Sequence, residues 1–354
     1  MLEVGTGSLV DIQSANEGEI PRVSVQTTEN GILGYFDESI KNARYFENFI
    51  SVNFFGISYY HPYRASVEMK VHTLKLKNRD FITSEGIFIS AMINKRFDGL
   101  FSYGSQLSSS KLKNNDFKIQ LPIKNGEIDF DFMESFIEEL EAERIAELDA
   151  YLLATGLKNY TLTAEEQQVL DDFEKVEWAS FKIGDLFEKL NLKNHNKLFY
   201  KQQDTSPTKT NEFNLPLVNA KFGDNGIMFY GREKDFDSAE MTIDIISNGA
   251  IATGTVYAQP YKTGVLWDAY LLKPQVIDVK KEKLLFFTTA LEKSIKMKFG
   301  WDNKAVWSKV QHELFSLPIQ NHQPDYTTMN TFISAIQKLV IKDVVLYTNK
   351  KVGI

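Results

Sequence analysis

Five short motifs recur in the same order along the chain, and that recurrence limits the fold more than any other feature. Glu19-Ile20-Pro21-Arg22-Val23 leads to Asn30-Gly31-Ile32, and Asn214-Leu215-Pro216-Leu217-Val218 leads to Asn225-Gly226-Ile227. The step from Pro to Asn is nine residues in both, at an offset of 195. Tyr60-His61-Pro62-Tyr63-Arg64 then meets Ala258-Gln259-Pro260-Tyr261-Lys262 at an offset of 198, as Phe101-Ser102-Tyr103-Gly104 meets Phe299-Gly300-Trp301-Asp302. Leu121-Pro122-Ile123 and the Met133, Phe136, Ile137 set return as Leu317-Pro318-Ile319 and Met329, Phe332, Ile333, both at 196. Fixed order at nearly constant offset marks a tandem duplication. A chain of 354 residues is also longer than one hydrophobic core usually serves.

Each copy follows one pattern. Val23-Ser24-Val25, Phe49 to Val52 and Thr73 to Leu76 have the short apolar or alternating character of strands. Leu217-Val218-Asn219, Thr242 to Ile246 and Tyr270-Leu271-Leu272 play those parts in the second copy. Asn30-Gly31 and Asn225-Gly226 predict turns, because both residue types tolerate positive φ. After the Leu-Pro-Ile segment comes a helix. Met133, Ile137, Leu140, Leu148 and Tyr151 follow steps of three and four in copy one, broken by Arg144; Met329, Ile333, Ile336, Val340, Val344 and Tyr347 do so in copy two. These stripes predict core packing between two helices, the first some 39 Å long at 1.5 Å per residue. Gly156 stands where a C-terminal cap is expected. Thr161 to Glu177, polar and acidic, suits a connector or a second short helix and is read as the connector. The fold class is mixed α+β, with two tandem domains each followed by a long helix.

The formal charge of −7 argues against a polyanionic ligand until its distribution is considered. Residues 126–180 carry 16 Asp/Glu against 3 Lys/Arg, whereas residues 1–125 carry 13 against 14 and residues 181–320 carry 16 against 19. The acidity belongs to one helical segment, and the two bodies are open to nucleic acid. The absence of cysteine removes disulfides, thiolate metal sites and a cysteine nucleophile, and fits a cytoplasmic protein. No apolar run is long enough for a membrane helix.

Catalytic signatures are missing. Gly5-Thr6-Gly7-Ser8 lacks the third glycine of a dinucleotide loop, and neither a Walker motif nor a nucleophile elbow occurs. No Asn/Asp-Pro-Pro-aromatic tetrad of a base methyltransferase is present. His61, His72, His195, His312 and His322 have no metal-ligand spacing and read as surface or packing residues. No catalytic residue, metal ligand or cofactor site is therefore assigned. What remains is polar and aromatic loop chemistry. Copy one offers Gln26, Thr27, Thr28, Asn30, Tyr63, Arg64, Tyr103, Ser105, Gln106 and Lys111. Copy two offers Lys221, Asn225, Tyr261, Lys262, Trp301, Asn303, Lys304 and Lys309. Amides and Arg/Lys can read base edges, and Lys, Ser and Thr can hold phosphates. The frame agrees between copies while these loops differ, as two readers of different sequences require.

The run Trp178-Ala179-Ser180-Phe181-Lys182-Ile183-Gly184-Asp185-Leu186-Phe187-Glu188, together with Leu215 to Ile227, Asn248-Gly249-Ala250, Gln259-Pro260-Tyr261 and Leu317-Pro318-Ile319, resembles the specificity (S) subunits of type I restriction–modification systems. It is similar also to the shorter recognition subunits of type IIB-like systems. The resemblance spans essentially the whole chain. It implies target recognition domains at 1–125 and 178–321, a central spacer helix with its connector at 126–177, and a C-terminal spacer helix at 322–354. It further implies that the helices pack antiparallel with pseudo-twofold symmetry. The function implied is binding of a bipartite duplex DNA target. The partners implied are DNA methyltransferase subunits, which carry S-adenosylmethionine, and restriction subunits. One departure stands out: Leu2-Glu3 matches Phe187-Glu188, so the first domain lacks the segment that opens the second. A duplicated protein-interaction scaffold without DNA readout is the alternative, and a nuclease would need a carboxylate cluster that the motifs do not supply.

Overall fold

The computed structural model describes residues 1–13, 15–114 and 117–353. The chain divides into two compact units, Met1–Leu148 and Asp149–Ile354.

Unit 1 begins with β1 (Leu2–Thr6), β2 (Glu17–Val23), β3 (Ile32–Phe36), β4 (Tyr45–Phe46), β5 (Phe49–Asn53), β6 (Ser58–His61), β7 (Ala65–Val67) and β8 (Val71–Leu76). Antiparallel pairing builds one sheet in the order β1-β8-β5-β6. A second sheet has the order β3-β2-β7-β4, with β2 and β7 parallel. All of β5 is buried, and Ile50 and Val52 join Ile89, Ile93 and Phe97 of α1 (Thr83–Phe97) in the core. After α2 (Ser109–Asn114) come the hairpin strands β9 (Ile123–Lys124) and β10 (Glu127–Ile128), then α3 (Phe130–Ala154). Asn125 and Gly126 both adopt positive φ, 54° and 84°, as a two-residue hairpin turn requires.

Unit 2 takes the last turn of α3 and opens on α4 (Ala164–Asp172). There follow β11 (Trp178–Lys182), α5 (Ile183–Leu186), β12 (Phe187–Lys189), α6 (Lys201–Asp204), β13 (Thr205–Ser206), β14 (Leu215–Val218) and β15 (Ile227–Gly231). Then come β16 (Thr242–Ile246), β17 (Val256–Gln259), β18 (Gly264–Val265), β19 (Ala269–Pro274), α7 (Lys281–Ile295), α8 (Trp307–Val310), β20 (Leu314–Gln320), β21 (Gln323–Pro324) and α9 (Tyr326–Val352). The order β12-β19-β16-β17 reproduces β1-β8-β5-β6, and the parallel pair β14·β18 reproduces β2·β7. Even the register is kept: Pro21 stands opposite Tyr35, and Pro216 opposite Tyr230. Leu2 pairs with Leu76 and Phe187 with Pro274, so the match between Leu2-Glu3 and Phe187-Glu188 holds in space.

The two Asn-Gly turns form as the sequence predicts. Asn30 and Asn225 both have φ of 51°, and Gly31 and Gly226 follow at 77° and 73°. Both long helices form as well. Gly156 has φ of 72°, two residues beyond α3.

Two expectations change. The segment read as a connector contains α4, begun by a capping box in which the Glu166 amide donates to Thr163 Oγ1 and the Thr163 amide donates to the Glu166 carboxylate. Packing on α9, which no local pattern displays, holds it there. Lys338 Nζ and Ser334 Oγ each reach the Glu166 carboxylate at 2.7 Å, and the rings of Phe173 and Phe332 stack 3.8 Å apart. The second change concerns the helical stripes, which are only partly core. Met133, Met329, Ala335 and Val345 are buried, but Leu140, Tyr151, Val340, Val344 and Tyr347 are exposed. One aromatic contact repeats at the start of each stripe. Phe88 of α1 meets Phe136 of α3 at 5.9 Å, and Phe286 of α7 meets Phe332 of α9 at 6.4 Å. Beyond that contact burial is intermittent, with Leu152 of α3 and Val345 of α9 buried among exposed neighbours.

Burial works to raise the Glu166 carboxyl, but the bonds from Lys338, Ser334 and Thr163 outweigh it and hold the group at about 2. The contact therefore contributes fully above the unfolded carboxylate range and is lost as pH falls from ~4.5 toward 2. Glu166→Gln should cost ~1–3 kcal/mol at neutral pH. Urea-unfolding curves for the two proteins should differ at pH 7 and draw together as pH falls from ~4.5 toward ~2.

Candidate nucleic-acid interface

The predicted loop residues hang from the central ladder of each unit. In unit 1 the Asn53 amide group donates to Val25 O at 3.2 Å and the Tyr59 hydroxyl donates to Thr27 O at 2.7 Å, so β5 and β6 hold the loop bearing Gln26, Thr27, Thr28 and Asn30. Gln26 Nε2 closes that loop on Ile32 O at 3.2 Å, and Thr28 O accepts the Gly31 amide. The Leu107 amide donates to Phe54 O at 2.8 Å and draws the 103–111 loop to the same end of β5. There Gln106 Nε2 reaches Tyr103 O at 3.2 Å, and Lys111 Nζ reaches Gln106 O at 2.7 Å. Ser105 bridges to Ser102, and Tyr103 itself is 83% exposed.

Tyr63 and Arg64 stand at the opposite end of β6, since His61 pairs with Phe49 at the start of β5. The Arg64 guanidinium is ion-paired with Glu38 and lies 4.6 Å above the Tyr45 ring. The Tyr63 hydroxyl lies 3.1 Å from His61 Nδ1, and His61 Nε2 lies 2.8 Å from Ser51 Oγ. This Ser–His pair is sealed from solvent, and burial pushes the imidazole down to about 4. It is a neutral packing pair that orients Tyr63, in keeping with the packing role expected of His61.

Unit 2 repeats the arrangement with other residues. The Gly223 amide donates to the Tyr257 hydroxyl at 2.7 Å, and Gln259 Nε2 donates to Asn225 O at 2.7 Å. The loop bearing Lys221 and Asn225 thus lies along β17. Lys221 pairs with Asp224 at 2.6 Å. The Asp268 amide donates to Asn219 Oδ1, the Ser247 amide to Asp268 O and the Ala305 amide to Ser247 O. That chain ties the 301–309 loop to the same end of β16. Lys309 Nζ meets Asn303 Oδ1 at 2.8 Å, while Trp301 and Lys304 project outward. Asn225 and Tyr261 line one concavity of about 310 Å³, shared with Tyr257, Gln259, Lys281 and Thr288. Lys262 is exposed beside it.

Sequence reasoning missed Lys281 and Lys296. Lys281 opens α7, and nothing in its local context marks it as part of the concavity. Lys296 Nζ reaches Ile251 O at 3.0 Å and stands 5.7 Å over the Phe222 ring, joining two loops far apart in sequence. Among the described residues no group of three or more His, Asp or Glu could hold a metal ion, and no helix is long and apolar enough to cross a membrane. The arrangement can present amides, hydroxyls, aromatic faces and lysines to a polyanion.

Asp244 lies beneath the unit 2 loop. It occupies the ladder position of Ser51, since Ile243 pairs with Leu272 as Ile50 pairs with Leu74. Both its carboxylate oxygens are buried with no hydrogen-bond partner among the described residues. Gly226 sits so close that a Cβ there would lie 2.6 Å from Oδ2, so the turn can rest on Asp244 only as glycine. Burial pushes the Asp244 carboxyl well above its ordinary range, and the native group is held neutral. The unfolded chain ionises it near pH ~4, so native stability is fully present below that and declines as pH rises toward the native pKa. Asp244→Asn removes the decline. Urea midpoints from pH 5 to 8 should fall for the parent protein relative to the variant, and parallel curves would refute a buried neutral acid.

Three comparisons bear on this geometry. Residues 2–150 and 175–346 match the family model described as the type I restriction modification DNA specificity domain. The chain is 22% identical, over 96% of its own length and 93% of the relative's, to the type II restriction enzyme BgcI specificity subunit S.BcgI of Heyndrickxia coagulans. Its fold is similar to the crystal structure of the type I restriction–modification system S subunit from M. genitalium, with a TM-score of 0.58 and 15% identity, covering 99% of this chain and 90% of that one.

Proposed function

The chain belongs to the family of type I restriction modification DNA specificity domains, and on that footing we propose that it reads a bipartite duplex DNA target, one half-site per unit. It is a specificity subunit of a restriction–modification system. The observation that carries the split readout is the duplicated ladder with two differently furnished loop sets. Tyr103, Gln106 and Lys111 gather at the end of β5; Trp301, Asn303 and Lys309 gather at the end of β16. Amide groups and lysines of this kind read base edges and hold phosphates, and exposed rings stack or wedge.

Specificity subunits are recognition components, and this chain is inferred to contribute no catalysis of its own. Methyl transfer from S-adenosylmethionine then belongs to a methyltransferase partner, and cleavage, where it occurs, to a restriction subunit. The exposed stripes of α3 and α9 are the inferred docking faces. Phe136, Leu140 and Tyr151 on one helix and Val340, Val344 and Tyr347 on the other leave apolar area in water, which a partner would cover.

Selection from a random duplex library, with the chain copurified with an adenine methyltransferase subunit, should enrich two short words at a fixed gap. Gln106→Ala should relax the word read by unit 1 and Lys309→Ala or Lys262→Ala should act through unit 2. A base contact should cost ~1–3 kcal/mol at one position, and a phosphate contact should lower affinity uniformly with a smaller salt slope. Enrichment of nothing, with the partner active on a control site, would leave the protein-interaction scaffold as the better reading.

Docking is tested separately. Val340→Asp combined with Val344→Asp should weaken capture of the methyltransferase subunit by about tenfold or more while leaving the unfolding curve close to that of the parent, because both side chains are already exposed.

A further inference from the structure

The two copies keep their strands but differ in the segment that joins β1 to β2 and β12 to β14. The offset between copies is 185 at Leu2 and Phe187 and 195 at Pro21 and Pro216, so residues 190–213 of unit 2 exceed residues 5–18 of unit 1 by ten. The charge reverses as well. Residues 5–18 contain Asp11 and Glu17 and no lysine or arginine. Residues 190–213 contain Lys193, Lys197, Lys201 and Lys209 against Asp204 and Glu212.

The longer segment is fixed to its unit at both sides. The Lys193 amide donates to the Asp237 carboxylate at 3.0 Å, the His195 amide donates to Asp235 O at 2.8 Å, and His195 Nε2 lies 2.7 Å from Asp237 Oδ1. Arg232 holds the other side, reaching Asp204 at 2.8 Å and Glu212 at 2.7 Å. These two ion pairs engage both acids of the segment. What it presents to water is therefore its lysines, all four of them exposed. Among the described residues Lys197 and Lys209 have no acidic partner. The Phe199 ring, 5.7 Å from that of Phe236 and 5.8 Å from that of Trp267, joins this basic surface to the recognition loops. Trp267 is followed by Asp268, whose amide donates to Asn219 Oδ1 and whose carbonyl accepts the Ser247 amide.

We propose that residues 193–211 are a phosphate clamp for duplex DNA, in which Lys193, Lys197 and Lys209 hold the backbone around the word read by unit 2. The proposal rests on the DNA readout argued above and adds to it an asymmetry. The matching segment of unit 1 is acidic, so unit 2 supplies the larger share of the sequence-independent, salt-sensitive affinity. Duplex DNA fits this surface because its charge is uniform along the groove, and lysines fixed beside the reading loops meet it at any sequence.

The test compares the parent with a Lys193→Gln, Lys197→Gln, Lys209→Gln variant, each in complex with the adenine methyltransferase subunit. Affinity is followed against salt concentration on a random-sequence duplex and on one carrying the enriched words. On both, the variant should bind about tenfold more weakly at low salt, with a log–log salt slope shallower by ~2–3, at ~0.9 per phosphate contact. Its enriched words and unfolding curve should match those of the parent, because the three side chains are exposed. Lys193→Arg, Lys197→Arg and Lys209→Arg together should keep the parent slope. Neutral methylphosphonates around the unit 2 word should weaken the parent and hardly affect the glutamine variant, whereas around the unit 1 word they should weaken both alike. An unchanged slope or an altered word would overturn the clamp. So would a variant that loses capture of the methyltransferase subunit while keeping the parent slope, since the lysines would then serve a protein partner. Enriched words with equal slopes would leave the split readout standing without the clamp. A slope difference with no enriched word would do the reverse, and a parent that binds no duplex would remove both.

Discussion

The candidate recognition loops of each unit hang from an antiparallel ladder through a fully buried strand, Phe49–Asn53 in one and Thr242–Ile246 in the other. Side-chain direction alternates strictly along a strand, so a shift of one residue would turn the apolar set of either strand away from its helix. Burial on both sides forbids that shift. The ends of these strands are then fixed points, and the loops tied to them by single backbone bonds, such as Leu107 to Phe54 and Ala305 to Ser247, inherit that precision without being part of the sheet.

The duplicated frame also separates what is needed for folding from what is free to change. Pro21 and Pro216 keep the same partner position, and the Asn-Gly turns keep the same left-handed geometry, because register and turn type admit few alternatives. The polar residue under the turn is under no such rule. Unit 1 satisfies it with a Ser51–His61 contact, and unit 2 buries Asp244 with no hydrogen-bond partner among the described residues. Both solutions are compatible with one backbone, and they differ in how stability responds to pH.

This contrast explains what was legible in the sequence. Repeats, turns and the two long helices announce themselves through spacing, because period and positive φ are local properties. The match of Leu2 to Phe187 was legible for the same reason and holds in the paired strands. Arg64 was read as an available cation, but its partner Glu38 lies 26 positions away and no local pattern reveals it. The helix at Ala164–Asp172 carried a Thr-x-x-Glu signal, yet what holds it is Lys338 and Phe332, contributed from the far end of the chain. The stripes of the long helices were correct as stripes and only in part as core, since periodicity says which side chains share a face and nothing about what lies opposite.

The uncovered faces of Phe130–Ala154 and Tyr326–Val352 have a thermodynamic consequence. A partner that binds only the folded chain adds stability in proportion to the logarithm of its free concentration over its dissociation constant. The recognition chain therefore has no single stability of its own in a cell. If partners dock on those helices as proposed, its folded fraction would follow their abundance. On the same proposal, a shortage of partners would leave apolar helix exposed to aggregation and proteolysis.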